Sequence, residues 1–167
     1  MPWPGHRPGH RRRVTTLGAV TNDAAAPTFY EAVGGEETFR RLTHRFYQEV
    51  AADPELRPVY PSKDLGPAEE HLRLFLMQYW GGPTTYNELR GHPRLRMRHV
   101  PFHIGKLERD LWLKHMRTAL DELSLAPALD ARFWDYLVRA ADSLVNVFPE
   151  DNAPQQGGRG GLGVTPS

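Results

Sequence analysis

Eight histidines and no cysteine in a chain of 167 residues limit which side chains can hold a metal or carry redox chemistry. Without Cys there is no disulfide framework, no thiolate nucleophile and no thiolate-held cluster, so any metal must be held by His or carboxylates. His99 and His103 stand four apart, the spacing of a helical zinc pair. Pro101 lies between them and biases Val100 away from helical geometry, so a shared helical face is not expected. No His-Glu-x-x-His motif occurs, and no zinc site is predicted. His6 and His10 fall in a Pro- and Arg-rich stretch. His44 and His71 sit among charged neighbours and read as solvated, whereas His115 falls on an apolar face and reads as a hydrogen-bonded core histidine.

His99 differs in its surroundings. Between Glu88 and Glu108 there is no acidic residue, yet Arg90, Arg94, Arg96 and Arg98 all occur. A neutral imidazole flanked by fixed cations inside a helical bundle suits an axial ligand to a metal whose cofactor carries carboxylates. Haem is such a cofactor, with Arg pairing to its propionates. A solvated basic turn explains the same residues, and composition alone favours it. Three aromatic residues with polar tips add weight: Tyr47 in Arg45-Phe46-Tyr47, Tyr60 between Val59 and Pro61, and Trp112, 13 residues after His99. A buried Tyr hydroxyl or Trp N–H must find a partner, so three around one pocket would make a polar clamp. Taken singly, each is equally a core residue.

The elements that must position these groups read as helices. Apolar residues recur at spacings of three and four in Phe39, Leu42, Phe46 and Val50, predicting a helix from Glu36 to Ala51. Leu72, Phe75, Leu76 and Tyr79 predict another over 67–79, with Pro67 in its first turn and Gly81-Gly82-Pro83 after its end. Leu107, Leu111, His115 and Leu120 mark a third over 105–123. Leu129, Phe133, Leu137, Ala140, Leu144 and Phe148 mark a fourth over 127–147. Residues 81–98, with three Gly and two Pro, are expected to be a functional loop, and His99 ends a short helical turn cut off by Pro101. No sustained alternation argues for strands, and no repeat period appears.

The ends have a different composition. Residues 1–28 carry four Arg against Asp23 and read as a disordered basic tail. Residues 151–167 read as a disordered Gly-rich tail, leaving 29–150 as one folded domain. That body is mildly acidic, which argues against a dedicated nucleic-acid binder. No apolar run approaches the roughly 18 residues of a membrane span, and the stretch after Arg13 is too polar for a signal-peptide core.

The ordered motifs together resemble the truncated haemoglobins of group II. The resemblance runs from Thr28 to about Phe148. It rests on Glu31-Ala32-Val33-Gly34-Gly35, Arg45-Phe46-Tyr47, Val59-Tyr60-Pro61, Gln78-Tyr79-Trp80-Gly81-Gly82-Pro83, the run from Gly91 to His99, and Trp112. It implies an all-α, two-over-two globin sandwich holding haem b, with His99 as the proximal iron ligand. Tyr47, Tyr60 and Trp112 would be the distal donors. Ala68 would stand where many globins place a distal His or Gln, with Leu72 one turn further inward. Phe75, Leu76, Leu95, Phe102 and Ile104 would be apolar haem contacts; Arg98 would be the first propionate partner, with His71 and Tyr86 as further ones. The implied function is tight binding of dioxygen, carbon monoxide and nitric oxide in the cytoplasm. Nitric oxide oxidation or peroxide reduction, served by a reductase, would follow, in a chain able to form a homodimer. A haem-based gas sensor, an oxygen store and a haem-free binding module are the alternatives.

Overall fold

The computed structural model describes residues 25–148. Among them there are seven α-helices and no strand: α1 (Phe29–Ala32), α2 (Glu36–Ala52), α3 (Gly66–Tyr79), α4 (Thr85–Arg90), α5 (Leu95–His99), α6 (Lys106–Asp121) and α7 (Pro127–Leu144). A single 3-10 turn, Arg57–Val59, lies between α2 and α3. Helix α2 packs on both α3 and α6, and α6 packs on α7, so two helix pairs cross over one another.

The four long helices form where apolar periodicity places them. The stripe Phe39, Leu42, Phe46 and Val50 of α2 is fully buried, and Thr43 joins it by returning its hydroxyl to the Phe39 carbonyl at 3.0 Å. Pro67 opens α3, and Trp80 closes it before Gly81, whose φ of 92° lies in the region that favours glycine. At Gly82 a Cβ would meet Tyr30 at 2.7 Å and the Met77 carbonyl oxygen at 2.8 Å. The double glycine is therefore set by close packing of α1 on the end of α3.

Two stretches depart from expectation. Residues 81–98 are not one loop, since they contain α4 and begin α5. Helix α4 has only six residues, too few to show a period. It is held by tertiary contacts: Gln78 Oε1 accepts from the Asn87 N–H at 3.0 Å, and Tyr86 is 3% exposed. Helix α7 stops at Leu144 rather than 147, because the Asn146 and Val147 N–H groups donate to the Ile104 carbonyl instead of continuing the helix. Phe148 and Leu107, read as parts of apolar faces, are half-exposed. Asn146 also donates to the carbonyls of His99 and Phe102 and accepts from the Ile104 N–H, fixing the turn that follows α5.

One buried hydrogen bond between side chains joins α2 to α6. Asp53 caps α2 and accepts from His115 Nε2 at 2.5 Å and from the backbone N–H groups of Glu55 and Leu56. The His115 hydrogen bond, with these backbone donors, holds the Asp53 carboxyl below its ordinary range against the opposing effect of burial. Its folded-state pKa is thus depressed. The stabilisation is present above the ordinary carboxylate pKa of about 4 and is lost as pH falls below it. Asp53→Asn should cost about 1.5 kcal/mol at neutral pH, because it removes the charge from a buried acceptor while keeping an oxygen for His115. Urea unfolding of both proteins should show the gap narrowing in acid; a constant gap would contradict the pair's contribution.

Candidate functional site

Where the two helix pairs cross, they leave a cavity of about 420 Å³, within the range of sites for a large organic ligand. All fourteen residues expected from the sequence reading line it. From α2 and the turn after it come Tyr47 and Tyr60. Helix α3 supplies Ala68, His71, Leu72, Phe75 and Leu76, and α4 supplies Tyr86. Leu95, Arg98 and His99 come from α5, Phe102 and Ile104 from the turn beyond it, and Trp112 from α6.

The apolar wall is extended by residues that sequence reading missed, among them Leu137, Ala140 and Leu144 of α7. A helical stripe that lines a cavity carries the same period as one that packs into a core, so no signal separated them. Arg90 was also missed as a site residue, although it belongs to the arginine run.

His99 is the last residue of α5. Its Nδ1 lies 2.6 Å from the Leu95 carbonyl oxygen. A carbonyl only accepts, so Nδ1 carries the proton and Nε2 keeps its lone pair. This is the tautomer in which a backbone contact orients an imidazole for a metal. His103 is exposed in the turn beyond α5, so the two histidines do not share a helical face. Among the described residues no group of three His, Asp or Glu could hold a metal by itself.

One side of the cavity gathers cations. Arg98 donates from Nε to the Pro93 carbonyl and from Nη2 to the Arg90 carbonyl. Arg90 Nη1 lies 2.8 Å from His71 Nε2, and its Nε is buried without a partner. An arginine only donates, so His71 accepts and is neutral. Burial first, and then the charge of Arg90, hold His71 below the ordinary imidazole value. Two guanidinium groups and a neutral imidazole, with neither arginine paired to a carboxylate among the described residues, form a cationic margin that suits an anionic group. Carboxylates on a bound cofactor would supply it.

A second part of the wall carries buried donors. The Tyr47 and Tyr60 rings meet edge to face with centroids 5.6 Å apart, and Phe46 bridges Tyr47 and Trp112 at 5.0 and 5.3 Å. Burial pushes the Tyr47 hydroxyl well above its ordinary pKa and the Tyr60 hydroxyl up to about 12, so both keep their protons. Tyr47 and Trp112 act on the Tyr60 hydroxyl against the effect of its burial, so the three polar tips form one group on the cavity wall.

The residues fit haem: an apolar wall, one oriented imidazole, two arginines with no carboxylate partner among the described residues and a separate set of donors. Because the chain has no Cys, the cofactor is held without thioether bonds. Fold and cavity together define a haem protein of the two-over-two helical kind. Residues 28–146 match the bacterial-like globin family, and the chain belongs to that family as a group II truncated haemoglobin. It is 41% identical over 117 residues to the group 2 truncated hemoglobin YjbI of Bacillus subtilis, covering 70% of this chain and 87% of that one. It resembles the thermostable hemoglobin of the actinobacterium Thermobifida fusca at 69% identity and a TM-score of 0.72, covering 72% and 98% of the two chains. The truncated oxygen-avid haemoglobin of Bacillus subtilis is similar at 39% identity and a TM-score of 0.68, covering 72% and 100%. Haem iron is its cofactor, and dioxygen and other diatomic gases are its ligands. No helix among the described residues is long and apolar enough to cross a membrane.

Proposed function

We propose that this haemoglobin holds dioxygen tightly and consumes it in redox chemistry, chiefly oxidation of nitric oxide to nitrate, with peroxide reduction as a related activity. The observation that carries this reading is the set of three buried donors, Tyr47, Tyr60 and Trp112, on the cavity that also receives His99. The haem supplies an iron with one coordination position open to a diatomic gas. His99, its ring oriented by the Leu95 carbonyl, would hold the iron through Nε2. Tyr60, which burial keeps protonated, would donate to a ligand that gains negative charge, with Tyr47 and Trp112 beside it as further donors. Ala68 has no side chain able to swing as a gate, so Trp112 and Leu72 set how much room the ligand has. Leu72, Phe75, Leu76, Leu95, Phe102 and Ile104 exclude water, while Arg98, Arg90, His71 and Tyr86 form the polar margin. Such retention suits consumption of the gas better than its delivery.

Conversion of one nitric oxide and one dioxygen to nitrate takes up one electron, so a reductase is required. That partner, a cytoplasmic location and a homodimeric assembly belong to the same proposal. So does a folded unit of 29–150, whose first helix, α1, is capped by Thr28 through the reciprocal Thr28–Glu31 hydrogen bonds; residues 1–24 and 149–167 lie outside the described residues. Rapid mixing of the oxygenated protein with nitric oxide should yield one nitrate per haem. Slow decay with no nitrate would contradict the activity.

Arg98→Glu replaces an attractive contact to a carboxylate by repulsion. Haem transfer to apomyoglobin should quicken by about fivefold, corresponding to about 1 kcal/mol for a partly exposed pair. An unchanged transfer rate would remove Arg98 from the cofactor's partners.

A further inference from the structure

We propose that the outer face of α4 and α5 is the docking surface for an acidic protein that delivers single electrons. This rests on the redox reading above, which uses one electron per turnover. Leu89, Met97 and Val100 stand 68%, 67% and 72% exposed, an unusual concentration of large apolar side chains on two short helices. Arg94 and Arg96 are exposed in the same stretch of chain, and with neighbouring His92 they have no ion pair or side-chain hydrogen bond among the described residues.

Local folding does not explain these charges. Arg94 has a φ of 43°, in the left-handed region that side chains other than glycine rarely adopt, and it begins α5, where a helix favours negative rather than positive charge. The face is nevertheless firmly built. Arg98 ties the end of α4 to α5 through the carbonyls of Arg90 and Pro93. On the inner side of the same wall, Arg90, Leu95, Arg98 and His99 line the cavity. A partner on the outer face is therefore one short helix away from the proposed iron ligand.

An apolar centre beside unpaired cations fits a transient complex, in which complementary charge steers the encounter and a small dry contact completes it. The stretch between Glu88 and Glu108 has no acidic residue, whereas residues 29–150 as a whole carry a small negative excess. The positive field is thus local, attracts an acidic partner and repels a second copy presenting the same face. In the productive encounter, one electron leaves a reduced iron–sulfur cluster and reduces the ferric haem iron to ferrous; no proton or atom is exchanged.

The test uses the haem-loaded ferric full chain and an acidic plant-type [2Fe–2S] ferredoxin as probe. Binding of the oxidised ferredoxin is measured by calorimetry, and reduction by the reduced form by anaerobic stopped flow. Wild-type reduction should slow at least about tenfold between low salt and about 0.5 M salt. Arg94→Glu with Arg96→Glu should bind at least about tenfold more weakly at low salt and lose most of the salt dependence of reduction. Dithionite, a small reductant, should reduce both proteins equally fast. If no haem is retained or dithionite produces no ferrous spectrum, the redox reading itself fails. If haem behaves normally but the double variant binds and accepts electrons from ferredoxin within twofold of wild type, the docking surface is wrong. Binding that depends on these arginines but goes to phosphatidylserine vesicles and not to ferredoxin would make the face a membrane contact and overturn the proposal.

Discussion

Replacing Trp112 by Phe is expected to speed dioxygen release by about 10–150-fold. The indole N–H is a donor only, and Phe keeps most of the ring while removing that one hydrogen. A hydrogen bond to a ligand carrying negative charge contributes about 1.5–3 kcal/mol, and 1.4 kcal/mol corresponds to tenfold. The Trp112 ring lines the cavity together with Tyr47 and Tyr60, so its N–H is within the group of donors that a bound ligand would meet. Carbon monoxide gains less charge and should be released at a rate that changes much less. Trp112→Ala should in addition accelerate uptake of both gases, since it opens the cavity beside Tyr47 and Tyr60. Stopped-flow measurements of both ligands on both variants decide the point. Should Phe leave dioxygen release within twofold while Ala speeds uptake, Trp112 is a steric gate and the tyrosines hold the ligand.

His99→Ala is expected to lose most of its haem. The variant removes the imidazole that the Leu95 carbonyl orients and puts no donor in its place. His103, exposed in the turn beyond α5, and His92, exposed before it, are the nearest histidines in sequence, so any residual spectrum should be that of a mis-ligated species. Absorption after haem reconstitution reports the result. A native-like five-coordinate ferrous spectrum in the variant would contradict the assignment.

Both predictions draw on residues visible before any coordinates, and the reason lies in their chemistry. Long helices announce themselves by period, so α2, α3, α6 and α7 could be placed within a few residues from Phe39, Leu72, Leu111, Phe133 and their repeats. Buried polar groups are conspicuous because they need partners, which made Tyr47, Tyr60 and Trp112 candidates for one pocket. His99 stood out through an absence, the missing acidic residues around it. What stayed hidden depends on tertiary contact. Helix α4 owes its existence to Tyr86 and to the Gln78 side chain, and six residues carry no period. Arg90 could not be separated from Arg94 and Arg96 by sequence, yet one points inward at His71 and the others face solvent. Leu137 and Ala140 looked like core and are wall. The His115–Asp53 pair was half legible: a core histidine was expected, but its partner lies 62 residues away on another helix.

The resonance Raman spectrum of the ferrous, ligand-free protein tests the central claim most directly, because a bond between iron and an imidazole nitrogen gives its own stretching band. The wild-type protein should show that band, His99→Gly should lack it, and added imidazole should restore a similar band to His99→Gly at a slightly shifted position. A band unchanged in His99→Gly without imidazole would show that another residue holds the iron and would contradict the account.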